Sequence, residues 1–157
     1  MDTMTRIEQA LQAALAGGEL PGCPPRLAAA MRHAVFPGGA RIRPQLCVAV
    51  ARACGDTDPA LSDAAAAAIE LLHCASLVHD DLPCFDNAAT RRGQASVHSA
   101  YGEKLAVLAG DGLIVMAFQT LALGAARSPG RLARLMATIG NGVGMPFGIT
   151  ADRKSVV

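Results

Sequence analysis

The sequence has no tryptophan, one tyrosine and four phenylalanines, so aromatic residues make up only 3% of its 157 positions. A sandwich of strands usually leans on aromatic and β-branched side chains. A chain poor in aromatics and rich in alanine favours closely packed helices instead. Charge is scarce too: 17% of residues are charged and the formal net charge is +1. That balance gives no electrostatic case for nucleic acid, and none of the nucleic-acid motifs is present. The five cysteines (Cys23, Cys47, Cys54, Cys74, Cys84) are odd in number and include no Cys-x-x-Cys pair. This argues against a disulfide framework or a zinc site and fits a reducing cytoplasm. The opening MDTMTRIEQ lacks the basic start and apolar run of a secretory signal.

What the chain has is apolar residues, 52% of the total, enough for a substantial core in about one domain. Thr5 and Glu8 form a capping-box pattern ahead of Ile7, Leu11, Ala14 and Leu15, and Gly17-Gly18 closes that first helix. Pro24-Pro25 opens a second helix, which Pro37 stops. A third runs from near Pro44 to Cys54. A long fourth, capped by Thr57 or Asp58, runs from about Pro59 to Leu82. Ser128-Pro129 caps a further helix reaching about Ile139, and no stretch reads as a strand hairpin. The run Leu105–Leu123 is long enough to raise the question of a membrane span. It holds Asp111 near its middle, and an acid at the bilayer centre costs roughly 2.5–3.5 kcal/mol. A helix buried all round in a bundle is therefore expected, with Asp111 a satisfied buried group and no membrane span.

The charge that exists is concentrated in His73–Gly93, HCASLVHDDLPCFDNAATRRG. Asp80, Asp81 and Asp86 lie within seven residues, and Arg91 and Arg92 follow. Clustered carboxylates repel one another unless a cation lies between them. Mg²⁺ suits such hard oxygen donors, typically with one or two carboxylates plus substrate phosphates. Arginine grips phosphate in a bidentate fork. The pattern points to a diphosphate held through magnesium. His73 and Asp80, seven residues apart, share one helix face. Asp80 and Asp86 do not, but Pro83 disturbs the helix between them and would bring Asp86 back. Cys74 and Cys84 flank the cluster and read as packing residues.

Three blocks resemble the N-terminal half of the polyprenyl (isoprenoid) diphosphate synthases: GGARIRP (Gly38–Pro44), ELLHCASLVHDDLPCFDN (Glu70–Asn87) and RRGQASVHSAYGEKLAVLAGDGLI (Arg91–Ile114). They cover about half the chain, in the family's order and spacing. The resemblance implies an all-α isoprenoid-synthase helical bundle, of which residues 1–149 form the N-terminal part and residues 150–157 a divergent tail. It implies a magnesium-dependent transferase condensing an allylic diphosphate with isopentenyl diphosphate. Asp80 and Asp86 are the implied magnesium ligands, with Asp81 supporting. Arg91 is the implied contact to the allylic diphosphate, and Arg92, Arg43 and His73 those to isopentenyl diphosphate. In the family a bulky aromatic about one turn above the metal closes the product tunnel. Ala75 and Ser76 stand there, and Ala75 implies a twenty-carbon or longer product.

Departures accompany the resemblance. Position 40 is Ala where the family has Lys, with Arg41 a candidate to compensate. No second Asp-rich motif follows, and the chain is about half as long as the family fold needs. A truncated, frameshifted or split form is therefore expected. Its alternative role is a non-catalytic subunit of a complete synthase. A homodimer, or association with a full-length synthase, is expected to cover the face that half a bundle exposes.

Overall fold

The structure is a computed structural model that describes residues 2–152. Its elements are α1 (Thr3–Gly17), α2 (Pro25–Val35), α3 (Ile42–Ala53), α4 (Pro59–Asp80), strands β1 (Thr90–Arg91) and β2 (Gln94–Ala95), α5 (Val97–Tyr101), α6 (Glu103–Gly124), α7 (Pro129–Val143) and α8 (Ile149–Asp152). Among the described residues it is an all-α bundle apart from that one small hairpin. α4 and α6 pack along each other as the central pair. α1 and α3 lie on α4, and α2 and α5 on α6.

The helix starts follow local chemistry. Proline occupies the first turn of α2, α4 and α7, where its missing N–H is an orphan donor in any case. Asp58 caps α4 through the Leu61 amide. α1 is capped differently from the expected capping box. The Asp2 carboxylate accepts from the Thr5 amide at 3.0 Å, and Glu8 is drawn away to Arg41. The main core joins Ile7, Leu11 and Leu15 of α1 to Val48 of α3, Leu71 of α4, and Leu113 and Leu121 of α6, all buried. Each such aliphatic side chain contributes roughly 1.5–3 kcal/mol by leaving water. A second cluster of Ala30, Val78, Leu82, Val97, Ala106 and Ala109 sits beneath the acidic end of α4.

Three expectations are corrected. α6 is not buried all round: only 39% of its most apolar stretch is covered, against 67% for α4. Val107, Leu108, Val115 and Leu123 are exposed. Asp111 lies on that open side with 60% of its side chain accessible, so it is not a buried polar group. A hairpin does exist, with Thr90 opposite Ala95 and Arg91 opposite Gln94. Its two-residue turn, Arg92-Gly93, has φ of 53° and 79°, the left-handed pair that tight hairpins require. After α7 the Gly-rich stretch leads into a short helix, α8. Arg153–Val157 lie outside the described residues.

Candidate diphosphate site

α4 ends at Asp80, and the next turns fold back under it. The Asp86 amide donates to the Asp80 carbonyl at 2.9 Å, the Asn87 amide to Leu82 at 3.0 Å, and the Ala88 amide to Asp81 at 3.1 Å. Asp86 thus returns to Asp80 because the helix terminates and its last carbonyls capture the loop, not because Pro83 kinks a continuing helix. The C-terminal end of a helix carries partial negative charge. Asp80 and Asp86, gathered there, make the spot attractive to a cation. Among the described residues, no three His, Cys, Asp or Glu side chains converge as a metal cage. A pair of carboxylates is nonetheless the donor set with which Mg²⁺ is held when phosphates complete its shell. Asp80 and Asp86 fit that role by residue type and backbone proximity.

Beside this helix end opens a cleft of about 540 Å³. Arg43 of α3, His73, Ser76 and Asp80 of α4, Thr138 of α7 and Asp152 of α8 form its polar side. Ile69, Leu72, Leu77, Ile139, Val143 and Ile149 supply apolar walls. Arg43 Nη1 lies 3.3 Å from His73 Nε2. Burial first, then the positive charge of Arg43, holds His73 below its usual 6.5, so the ring is neutral at neutral pH. Ser76 lines the cleft, whereas Ala75 does not. Ala75 is 1% exposed, inside the core cluster. The expectation that Ala75 opens onto a tunnel is corrected, since a step of one residue turns a helical side chain by about 100°.

The remaining candidates gather on the other side of Leu77, in a narrow crevice lined by Asp81, Arg91 and Arg92. Asp81 is buried, its side chain 3% exposed, and Arg91 grips both of its oxygens, Nε on Oδ2 at 3.1 Å and Nη2 on Oδ1. This bond to Asp81 raises the Arg91 pKa further. Asp81 is therefore an anchor for Arg91 and does not face the cleft. The hairpin turn sends Arg92 the other way, to 4.0 Å from Glu70 Oε1. His33 and His98 pin this segment through the carbonyls of Ala95 and Ala88, at 2.7 and 2.8 Å.

Some neighbours depart from expectation. Arg41 does not compensate for Ala40, because its fully buried side chain bonds Glu8, Glu70 and the Val35 carbonyl. His79 turns to α6, 3.6 Å from Asp111. Cys74 is buried and its thiol is pushed up to about 11 by burial, consistent with packing, whereas Cys84 is exposed in the loop. Sequence reasoning missed Glu70 and Glu8. The signal for Glu70 was present, since it is a lone charge within the apolar run AAAAAIELL.

A model of the polyprenyl synthetase family matches residues 24–149. The chain belongs to that family. It is 59% identical over 148 residues to the geranylgeranyl diphosphate synthase of Cereibacter sphaeroides, covering 94% of this chain and 51% of that protein. It is 44% identical over 117 residues to geranylgeranyl pyrophosphate synthase 3, chloroplastic, of Arabidopsis thaliana, covering 73% and 32%. The crystal structure of a geranyltransferase from Legionella pneumophila superposes with a TM-score of 0.82 at 36% identity, over 91% of this chain and 50% of that one. An FPP/GFPP synthase from Zymomonas mobilis gives 0.75 at 37% identity, over 90% and 53%. The polyprenyl synthetase fold is therefore present over its N-terminal half, and the chain spans about half the length of the curated relatives it matches.

Proposed function

We propose that this chain provides the first diphosphate- and magnesium-binding half of a prenyltransferase that condenses an allylic diphosphate with isopentenyl diphosphate. The observation that carries this reading is the return of Asp86 to Asp80 beside a cleft whose polar lining includes Arg43, His73 and Asp80. Asp80 and Asp86 would hold magnesium, which supplies neutralisation of the charge developing on a departing diphosphate. Arg43 donates to a diphosphate from the α3 side. His73, kept neutral, donates a hydrogen bond there without adding a third positive charge. Arg91, clamped by Asp81 through Nε and Nη2, presents its remaining edge to the allylic diphosphate. Arg92 serves isopentenyl diphosphate. The apolar walls take the prenyl chain and keep water from the cation formed when carbon–oxygen ionisation occurs.

The test is to mix the chain, alone and with a full-length synthase, with magnesium, farnesyl diphosphate and radiolabelled isopentenyl diphosphate. Label in a longer prenyl product supports catalysis. Saturable, magnesium-dependent binding of inorganic diphosphate supports the half-site. Absence of both from a folded chain defeats the reading.

A second reading has its own observation. Ile42, Leu46 and Val50 form an exposed apolar row on α3, in addition to the open side of α6. Exposed rows of this kind mark association surfaces, and they support a subunit that pairs with a second copy or a full-length synthase. Sedimentation that stays monomeric at high concentration, with and without the synthase, counts against it.

A further inference from the structure

Glu70 is 2% exposed in the middle of α4, among alanines and leucines. A lone carboxylate there is costly unless cations meet it. Two do, and they are held differently. Arg41 Nη1 donates to Glu70 Oε1 at 2.9 Å. Arg41 spends its other donors on Glu8, through Nε at 2.7 Å, and on the Val35 carbonyl, through Nη2 at 2.9 Å. Arg92 Nη2 stands 4.0 Å from the same Oε1, inside Coulomb range and beyond hydrogen-bond length.

The Gly38-Gly39 loop backs both cations. A Cβ on Gly38 would overlap the Arg41 guanidinium, and one on Gly39 would stand 3.2 Å from Arg92 Nε. The first arginine is thereby locked into the core. The second is steered by the same carboxylate but not consumed by it.

We propose that Glu70 is a positioning residue for Arg92. Its buried charge, already satisfied at hydrogen-bond distance by Arg41, sets the direction of the Arg92 guanidinium and leaves its donors for an incoming diphosphate. The inference rests on the reading of Arg92 as a diphosphate contact.

The test uses the full chain, inorganic diphosphate and magnesium in titration calorimetry at neutral pH. Glu70→Gln keeps the shape and removes the charge, and it is expected to weaken diphosphate binding about tenfold. Arg92→Leu is expected to weaken it as much. In the Arg92→Leu background, Glu70→Gln is expected to change nothing further, because residues acting through one another are not additive. Glu8→Gln, which touches Arg41 but not Arg92, should leave binding within about twofold of the parent even if it lowers stability. A role confined to folding would make Glu8→Gln and Glu70→Gln behave alike and the two losses add. Either result overturns the proposal, as does parental affinity in folded Glu70→Gln.

If Glu70→Gln does not fold, Gly39→Ala reaches the same guanidinium from the opposite side, and unchanged affinity in that variant overturns the proposal. If the parent chain binds no diphosphate, the functional reading has failed, and the Arg92 Nε–H resonance decides the rest. It must shift in Glu70→Gln or, where that variant does not fold, in Gly39→Ala. An unmoved resonance overturns the positioning role.

Discussion

The two sides of α4 share one backbone and follow different rules. The inner side carries Ala66, Ala67, Leu71, Cys74 and Ala75, buried, with Glu70 and Asp81 as its charges, each tied to arginine. The outer side carries Ile69, His73, Ser76 and Asp80 along the cleft. Acids occur on both, so composition does not separate them. Burial does. An acid with a standing arginine partner holds structure, and an acid at the mouth of a cleft is placed to meet a ligand. Adjacent residues fall on opposite sides of this division: Ala75 from Ser76, and Asp80 from Asp81.

The largest effect should come from the inner charge. Glu70→Leu leaves Arg41 and Arg92 without their shared carboxylate. It is expected to lower stability by about 3–5 kcal/mol, measured by urea unfolding. A loss no larger than that of a surface substitution would erase the distinction between the two acid classes. Ala75→Phe forces a ring into a packed core and should cost about 1–3 kcal/mol. The neighbouring Ser76→Phe, whose ring has the cleft to enter, should cost under about 1 kcal/mol. Equal losses would show that the cleft is not available space.

Asp80→Asn and Asp86→Asn should each change stability by less than about 0.5 kcal/mol. Each should abolish the magnesium dependence of diphosphate binding in calorimetry, and retention of that dependence would remove these residues from the metal site. The smallest effect concerns pH. The folded His73 pKa lies below 6.5, the value ordinary for a free side chain. Above that value the ring is neutral in both states and its contribution is fully present. As pH falls through 6.5 the unfolded chain takes up the proton first, so stability declines toward acid. His73→Gln should flatten that part of the stability–pH curve. Bound diphosphate should oppose the decline, because an anion near the ring favours its protonation.

The helices were legible where local chemistry writes them: prolines in first turns, Asp58 before α4, and Gly17-Gly18 after α1. The acidic cluster and the arginines were legible as residue types in a short span. Their partition was not, because Asp81 and Arg91 are separated by a loop whose return is fixed by backbone bonds to the end of α4. Glu8, Arg41 and Glu70 come from three different helical regions, and only tertiary packing introduces them to one another. That packing also explains why the Thr5–Glu8 capping pattern misled. The open side of α6 was hidden for another reason: an apolar run states how much surface wants covering and not what covers it. The hairpin escaped because each strand has only two residues.

The line where α4 passes α6 has one more consequence. Gly124 sits so close to Ala64 that a Cβ on the glycine would overlap the alanine's. The residues that follow, Ala65–Ala68, are buried too. Alanine and glycine have no side-chain rotamers to lose when a helix pair closes. The Gly124–Ala64 end of the seam therefore closes without the ordering entropy that a leucine contact would carry, and it draws its cohesion there from close approach of the two backbones.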